Sequence, residues 1–182
     1  MRTVWITSPV RILAYCLMPN HFHLVVWPRE DGDLSRWMQR VLTAQVRRYH
    51  EHYHTLGEGH LWQGRFKAFP IQTDEHLLTV VRYVERNPVR AGLAERAERW
   101  KWSSAPGRRD GTAAVWMDPG PVAWPKDWEL WVNAEEGQEE LESLRKCVVR
   151  GRPWGGENWV ARIVRQLGLE HSVRPRGRPK KR

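Results

Sequence analysis

Two histidines separated by one phenylalanine are the first residues whose types and spacing could do chemistry. His21, Phe22 and His23 follow a Met-Pro-Asn turn inside the stretch YCLMPNHFHLVVWP, residues 15–28. Successive side chains of a β-strand point to opposite faces, so both imidazoles share one face and Phe22 takes the other. Two neighbouring imidazoles form half of a divalent-metal site. Because His-x-His is short and common, this motif alone more often marks a pair of half-buried histidines at a strand end.

A tyrosine and an asparagine on a predicted helix form a second candidate group. Thr73 is the predicted N-cap of the segment DEHLLTVVRYVERN, and Pro88 is predicted to end the helix. Tyr83 and Asn87 are four positions apart and are therefore neighbours on one helix face. Spacing alone also allows Tyr83 to be a boundary residue with a packed ring and a hydrated hydroxyl.

Hydrophobic periodicity predicts the elements that position these residues. Val10–Met18 and His21–Trp27 are predicted as an antiparallel strand pair around the Pro19-Asn20 turn. An amphipathic helix is predicted from Leu34 to about Tyr53, with Asp33 or Ser35 as its N-cap. The arginines on the other face of this helix are either a solvated surface or a DNA-backbone contact. Leu61–Gln72 is predicted as a further strand with Arg65 and Lys67 on one face.

The C-terminal half changes in composition. Residues 105–132 are rich in Gly, Pro and Trp and are predicted to be irregular, whereas Glu135–Val149 and Glu157–Leu167 are predicted helices. Two helices around a glycine turn fit a helix-turn-helix or an ordinary helical hairpin. The last nine residues, RPRGRPKKR, hold six positive charges. They are either a disordered solubilising tail or a segment that lies in an A·T-rich minor groove.

Composition limits the class of protein. The chain has 182 residues, a formal net charge of +9 and two cysteines, Cys16 and Cys147. The charge favours a polyanionic partner, nucleic acid first. Two distant cysteines form neither a disulfide framework nor a zinc motif, which predicts a reducing cytoplasm. No apolar run approaches a membrane span, so we predict no membrane partner.

Four segments, in this order, carry a family resemblance: AYCLMPNHFHLVV, GHLWQGRFKAF, VVRYVERNPVRAGL and WKWSS. Together they resemble the REP-associated tyrosine transposases, which belong to the HUH single-strand DNA nucleases. The resemblance implies an α+β fold with an antiparallel, ferredoxin-like HUH sheet and helices packed on one face, followed by a helical C-terminal extension and a basic tail. The predicted domains are a catalytic domain (1–105), a linker (106–132), a helical segment (133–168) and a disordered basic tail (169–182).

The resemblance also implies roles for individual residues. His21 and His23 match the metal ligands, Asn87 the position that completes the metal site, and Tyr83 the nucleophile. The implied cofactor is Mg²⁺ or Mn²⁺. The implied activity is metal-dependent nicking and joining of single-stranded DNA through a 5′-phosphotyrosine, at repeated extragenic palindromes that form hairpins. Basic residues predicted to contact this DNA are Arg65, Lys67, Arg86, Arg90, Arg176, Arg178, Lys180 and Lys181.

One feature departs from the family pattern. Members usually carry a strand and a helix before the block that begins here at Arg11, and this chain has about ten residues there. We therefore expect an N-terminally shortened chain, which leaves a second function open: a catalytically impaired relic that binds DNA hairpins. A third interpretation is an unrelated basic RNA-binding or metal-binding module. The sequence leaves a monomer or a dimer equally open.

Overall fold

The computed structural model describes residues 10–55, 57, 59–112 and 117–174. Within them are one two-stranded antiparallel sheet, eight α-helices and one 3₁₀ turn. The predicted α+β class with an antiparallel sheet is confirmed. In the part of the chain that is described, no helix combines the length and apolar character that crossing a bilayer requires. The expectation of an N-terminally shortened sheet falls on residues 1–9, outside the described residues.

The described residues form two compact units. The first comprises the described part of Met1–Phe66 with Val81–Asn133, and the second comprises Lys67–Val80 with the described part of Ala134–Arg182. Residues 106–112 and 117–132, which composition predicts to be a linker, thus belong to the first unit. The four predicted domain boundaries stay a prediction.

A β-hairpin lies at the centre of the first unit. Strand β1 (Val10–Leu17) pairs antiparallel with β2 (Phe22–Pro28), close to the predicted bounds. The chain reverses through Met18, Pro19 and Asn20, and the Met18 amide donates to the His21 carbonyl at 2.9 Å. Proline and asparagine fit this turn because neither is needed in the ladder.

A bulge in β1 gives the hairpin two buried faces. The pairing register shifts between Ile12 and Ala14, so Ile12 pairs with Val26, and Cys16 pairs with His23. Directly paired side chains share a face, and a bulge moves the following residues to the opposite face. Val10 and Ile12, before the bulge, therefore lie on the same face as Val26, whereas Ala14 and Cys16, after it, lie on the opposite face with His23.

The first layer is helix α1 (Asp33–Tyr53), which packs on the Ile12–Val26 face of the hairpin. Its buried apolar residues, Trp37, Met38 and Val41, form one core cluster with Val10 and Ile12 of β1, and side chains of β2 pack against this cluster: Phe22, Leu24 and Val26. The predicted side-chain N-cap is wrong. The cap is Gly32, with φ of 81°, while the Asp33 carboxylate accepts from the Glu30 amide at 3.0 Å and pairs with Arg36.

The candidate tyrosine lies on α2 (Glu75–Glu85), which is followed by the short helix α3 (Asn87–Arg90). Two expected end signals are wrong. Asp74, not Thr73, caps α2, since its Oδ1 accepts from the His76 amide at 3.0 Å. Pro88 does not stop the helical path; it lies in the first turn of α3, where a missing N–H loses no hydrogen bond.

The predicted strand Leu61–Gln72 is wrong. Among the described residues this segment is irregular and makes only an isolated bridge, between Ile71 and Trp154 within the second unit. The Pro70 carbonyl accepts from the Trp154 amide, and the Gln72 amide donates to the Trp154 carbonyl, both at 2.9 Å. β-prone residues form a strand only when a neighbouring strand pairs with them, and Pro70 cannot donate.

The remaining elements are short helices in the first unit and longer ones in the second. The first unit also contains a 3₁₀ turn (Ala97–Arg99), α4 (Ala105–Arg109) and α5 (Trp128–Asn133). The second contains α6 (Gln138–Arg150) and α7 (Glu157–Leu167), which agree with the two predicted C-terminal helices. It also contains α8 (Glu170–Val173), so the prediction of disorder is wrong for these four residues. Gly151 and Gly168 end α6 and α7 in the left-handed conformation.

Candidate active site

The two candidate ligands stand where β2 leaves the turn. His21 is exposed and His23 is partly buried, and their ring centroids are 5.0 Å apart with the planes at 88°. His21 Nδ1 lies 2.7 Å from Asn20 Oδ1. An amide oxygen only accepts, so Nδ1 carries the proton and Nε2 keeps its lone pair. The turn residue thus sets the tautomer of the neighbouring imidazole.

His23 is held in its neutral form by its surroundings. Burial, together with the nearby His21 and Arg90, lowers its pKa from 6.5 to about 4. Removing the imidazole from water disfavours the charged state, and neighbouring positive groups add to this effect. A neutral imidazole is the form that binds a metal.

The structure brings Tyr83 to this pair. The Tyr83 ring meets the His23 ring edge to face, with centroids 5.8 Å apart and planes at 85°. His23 shares its face of the hairpin with Cys16, opposite the face that holds α1. Helices therefore lie on both faces of the hairpin, and α2 supplies the second. This packing brings His23 and Tyr83 together although they are sixty positions apart in the sequence.

Arg90 completes the contact around the tyrosine. Its guanidinium carbon lies 4.1 Å from the centroid of the Tyr83 ring, and its Nη2 donates to the Tyr83 carbonyl at 2.6 Å. A guanidinium stacked on an aromatic face is attracted by the ring quadrupole. Arg90 therefore fixes the ring and backbone of Tyr83 together, and it places a positive charge beside the phenol.

Asn87 lies one turn beyond Tyr83 on a continuous helical path. Arg86 between α2 and α3 keeps right-handed helical angles, and the Ala91 amide donates to the Asn87 carbonyl at 3.0 Å. The four-residue spacing keeps Tyr83 and Asn87 on one side of this path. Asn87 is partly buried, and its role as a ligand stays a prediction.

A buried polar network anchors the other side of α2. Glu85 is fully buried; its Oε1 accepts from Ser104 Oγ at 2.6 Å and from Arg108 Nε at 2.5 Å, and its Oε2 accepts from Trp128 Nε1 at 2.9 Å. Arg108 also donates to the Leu13 carbonyl in β1. Glu85 therefore fixes α2 to β1, two residues after Tyr83. Sequence reasoning missed this network, since a carboxylate inside an amphipathic helix carries no signal of its burial.

A family model described as "Transposase IS200 like" matches residues 2–87, a range that includes His21, His23, Tyr83 and Asn87. Residues 2–87, slightly less than half of the chain, are therefore similar to an IS200-like transposase domain.

Two curated relatives agree with this assignment. The chain is 28% identical over 128 residues to a putative REP-associated tyrosine transposase of Haemophilus influenzae, covering 66% of this chain and 67% of the relative. It is also 28% identical over 122 residues to a REP-associated tyrosine transposase of Escherichia coli, covering 65% of each protein, which is less than two thirds of the relative's length. The resemblance inferred from the four sequence segments is confirmed. No solved structure gives a significant match.

The basic residues predicted to contact DNA have different environments. Within the residues that match the family model, Arg65 and Lys67 are exposed. Arg86 instead donates through Nη1 to the Asn133 carbonyl at 2.5 Å, at the end of α5. Its guanidinium thus interacts with the carbonyl end of a helix. Arg176, Arg178, Lys180 and Lys181 lie outside the described residues.

A further set of potential ligands was not predicted. Asp74, Glu75 and His76, at the start of α2, each offer a donor atom within 4.8 Å of the others. Asp74 Oδ1 already accepts from the His76 amide and lies 2.8 Å from His76 Nδ1. These contacts are those of a helix cap, so we assign this trio a structural role in the second compact unit.

Proposed function

We propose that this IS200-like protein is a metal-dependent transposase that nicks and joins single-stranded DNA at hairpin-forming repeats through a Tyr83 5′-phosphotyrosine. The observation that carries the proposal is the contact between the Tyr83 and His23 rings, 5.8 Å apart between centroids. A nucleophile beside a metal-ligand candidate is the arrangement that phosphoryl transfer requires. The names of the relatives supply the class of reaction. Such a protein would act in the cytoplasm, where its DNA is.

The proposed step is an in-line displacement at phosphorus. The Tyr83 phenol gives up its proton to solvent as its oxygen forms a bond to the scissile phosphorus. The bond from phosphorus to the 3′ oxygen breaks, and the 3′ oxygen takes up a proton from solvent to leave as a free 3′-hydroxyl. The phosphotyrosine retains the energy of the phosphodiester, so a 3′-hydroxyl can reverse the step and join strands. Single-stranded substrate follows from access, because a phenol on a helix must reach the backbone.

The residues present fit a divalent cation. His23 is neutral, with a pKa of about 4, and the His21 tautomer leaves Nε2 free to ligate. The amide oxygen of Asn87 would complete the set. When bound, Mg²⁺ or Mn²⁺ would polarise the phosphate and stabilise the charge that builds on it. Imidazole ligands suit Mn²⁺ better than Mg²⁺, which prefers oxygen.

Arg90 has two proposed tasks at this site. By stacking on the Tyr83 ring and binding its carbonyl, it limits the conformations of the nucleophile before substrate arrives. Its charge would also interact with the phosphate, since a guanidinium matches phosphate oxygens in geometry.

The test is whether the protein forms a covalent adduct with an end-labelled single strand of DNA that contains a hairpin and its flanks. We expect the wild-type protein with Mn²⁺ to form an adduct that withstands denaturation. Tyr83→Phe should abolish it while changing DNA affinity less than about twofold, because only the hydroxyl is lost. His21→Ala should retain Tyr83 yet lower the rate of adduct formation.

Tyr15→Phe is the matched control, since it removes a phenol hydroxyl from a tyrosine of β1 that pairs with Leu24, on the face of the hairpin opposite His23. It should form the adduct at the wild-type rate. An adduct formed by Tyr83→Phe at the wild-type rate would refute the role of Tyr83. Hairpin binding by the wild type without an adduct under any metal condition would instead identify a catalytically impaired DNA-binding relic.

A further inference from the structure

The C-terminal end of α1 carries an exposed group of aromatic and basic side chains, which we call the aromatic platform: Arg48, Tyr49, His52 and Tyr53. The Tyr49 and Tyr53 ring centroids lie 4.6 Å apart with the planes at 45°, and the His52 ring lies 4.7 Å from that of Tyr53. Tyr49 is 37% exposed and Tyr53 57% exposed. Two large rings are therefore held together at the surface.

The platform exists because α1 is longer than the core beneath its apolar face. The helix has 21 residues, about 31 Å at 1.5 Å per residue. Its buried residues are Asp33, Trp37, Met38 and Val41, all in its first half. The apolar stripe continues to Tyr49 and Tyr53, four positions apart on one face. The aromatic end of the stripe thus extends beyond the layer that the hairpin covers.

The charges around the rings favour an anionic ligand. With roughly 100° between successive helical residues, His52 lies next to the tyrosine pair, about 80° from its midpoint, and Arg48 lies farther round on the same side, at about 120°. Glu51, the acidic residue of this stretch, lies on the opposite side of the helix from the midpoint of the two tyrosines. The face is therefore aromatic and basic, and its acidic neighbour points away.

We propose that the aromatic platform binds unpaired bases of single-stranded DNA by stacking on Tyr49 and Tyr53, with Arg48 on the adjoining phosphate. This inference rests on the proposed action on single-stranded DNA and adds a binding site outside the Tyr83 region. Sequence-tolerant proteins combine aromatic rings with basic groups in this way, because every base has a stacking face. A second copy of the chain fits less well. A stable protein interface buries about 800 Å² on each partner, more than two tyrosines beside an arginine provide.

The experiment compares two probes of equal charge. One is a twenty-nucleotide thymidine strand, and the other is a strand of the same length made of abasic sites. For the full chain carrying both Tyr49→Ala and Tyr53→Ala, we expect affinity for the thymidine strand to fall roughly 100-fold, about tenfold per ring. Affinity for the abasic strand should stay within twofold. The double Tyr→Phe variant should match the wild type on both, since it keeps both rings.

Two further variants complete the design. Arg48→Ala should weaken binding to both probes and lower the log–log salt slope by about 0.7. Leu130→Ala, which shortens a leucine that is 69% exposed on α5, should change neither probe. Equal loss on the two probes in the tyrosine variant would overturn the proposal. So would a wild-type dimer that the tyrosine variant converts to a monomer, because the platform would then be a protein interface.

Failure of this site and failure of the proposed function give different results. Tyr83→Phe should retain the full preference for thymidine over abasic DNA. Adduct formation without any base-dependent binding at Tyr49 and Tyr53 would refute the proposed role of the aromatic platform and leave the role of Tyr83 intact. Base-dependent binding without an adduct would support the proposed role of the aromatic platform and refute the role of Tyr83.

Discussion

At the scale of single residues, the site depends on how each side chain is held by its neighbours. Asn20 sets the tautomer of His21, burial keeps His23 neutral, and Arg90 fixes Tyr83. The alternation of a strand was enough to predict that both histidines share a face. It could not predict Arg90 on the tyrosine ring, because that contact needs the helix to continue through Pro88, which the sequence rules treat as a stop.

The depressed pKa of His23 predicts a dependence of stability on pH in the metal-free protein. The folded pKa is about 4 and the ordinary value is 6.5, so between these pH values the unfolded chain binds a proton that the folded chain does not. The free energy of unfolding should therefore fall as pH drops through this window, with no such loss above pH 7. Relative to His23→Gln, the wild type should lose an additional ~2 kcal/mol between about pH 7 and 4.5.

Urea unfolding at several pH values in the presence of a chelator measures this difference. His60→Gln, which removes an exposed histidine, controls for the loss of any histidine. His21→Gln should raise the folded pKa of His23, because the charge of His21 helps to lower it. The window then narrows from its lower end, and the loss of stability becomes smaller. Parallel pH profiles for the wild type and His23→Gln would contradict the assignment of this window to His23.

At the scale of elements, the two opposite sides of α2 make different contacts. One side carries Tyr83 to His23, and the other carries Glu85 into the network with Ser104, Arg108 and Trp128. The WKWSS segment that contributes to the family resemblance ends in Ser104. The sequence shows that this segment belongs to the family pattern. It does not show that Ser104 donates to Glu85, because a hydrogen bond between residues 19 positions apart follows no local pattern.

Glu85→Ala should destabilise the protein strongly. It leaves the Arg108 guanidinium, whose side chain is 10% exposed, without its carboxylate. Removing one partner of a buried ion pair costs about 3–5 kcal/mol. Glu85→Gln should cost less, since the amide oxygen can still accept one of these hydrogen bonds. Equilibrium denaturation measures both.

Glu129→Ala is the matched control. Its ion pair with Arg96 spans 3.9 Å and its side chain is 43% exposed, so its loss should cost less than about 1 kcal/mol. Equal destabilisation by Glu85→Ala and Glu129→Ala would show that the network does not hold α2.

At the scale of the whole molecule, the two compact units are interleaved along the chain. Lys67–Val80 groups with the C-terminal helices, and the boundary falls inside α2, between Val80 and Val81. Sequence reasoning placed the long helices correctly because their hydrophobic periodicity is clear, although the end signals of α1 and α2 were misassigned. It misjudged residues 61–72, whose composition resembles a strand, because only the bridge from Ile71 to Trp154 reveals what this segment pairs with. Pairing between distant segments is a property of the folded chain that local composition does not encode.

The basic C-terminus belongs to this scale, because its proposed effect is on affinity for any single strand. Residues 175–182 lie outside the described part of the chain and carry five positive charges: Arg176, Arg178, Lys180, Lys181 and Arg182. A chain that ends at Arg174 would keep the contact between Arg150 Nη2 and the Arg174 carbonyl, 2.5 Å long. Truncation at this point therefore removes charge without disturbing a described contact.

We expect this truncation to lower affinity without changing site choice. Phosphate contacts act through counterion release and do not distinguish sequences, apart from a preference for narrow A·T minor grooves. At about 0.7 per contact on single strands, loss of all five charges would reduce the log–log salt slope by roughly 3.5, and loss of half of these contacts by roughly 2. Binding of full-length and truncated protein to a cognate and a scrambled hairpin across a salt series measures both quantities. The ratio of cognate to scrambled affinity should survive, since the folded part makes that choice. A truncation that erased this ratio and left the salt slope unchanged would show that the C-terminus reads sequence.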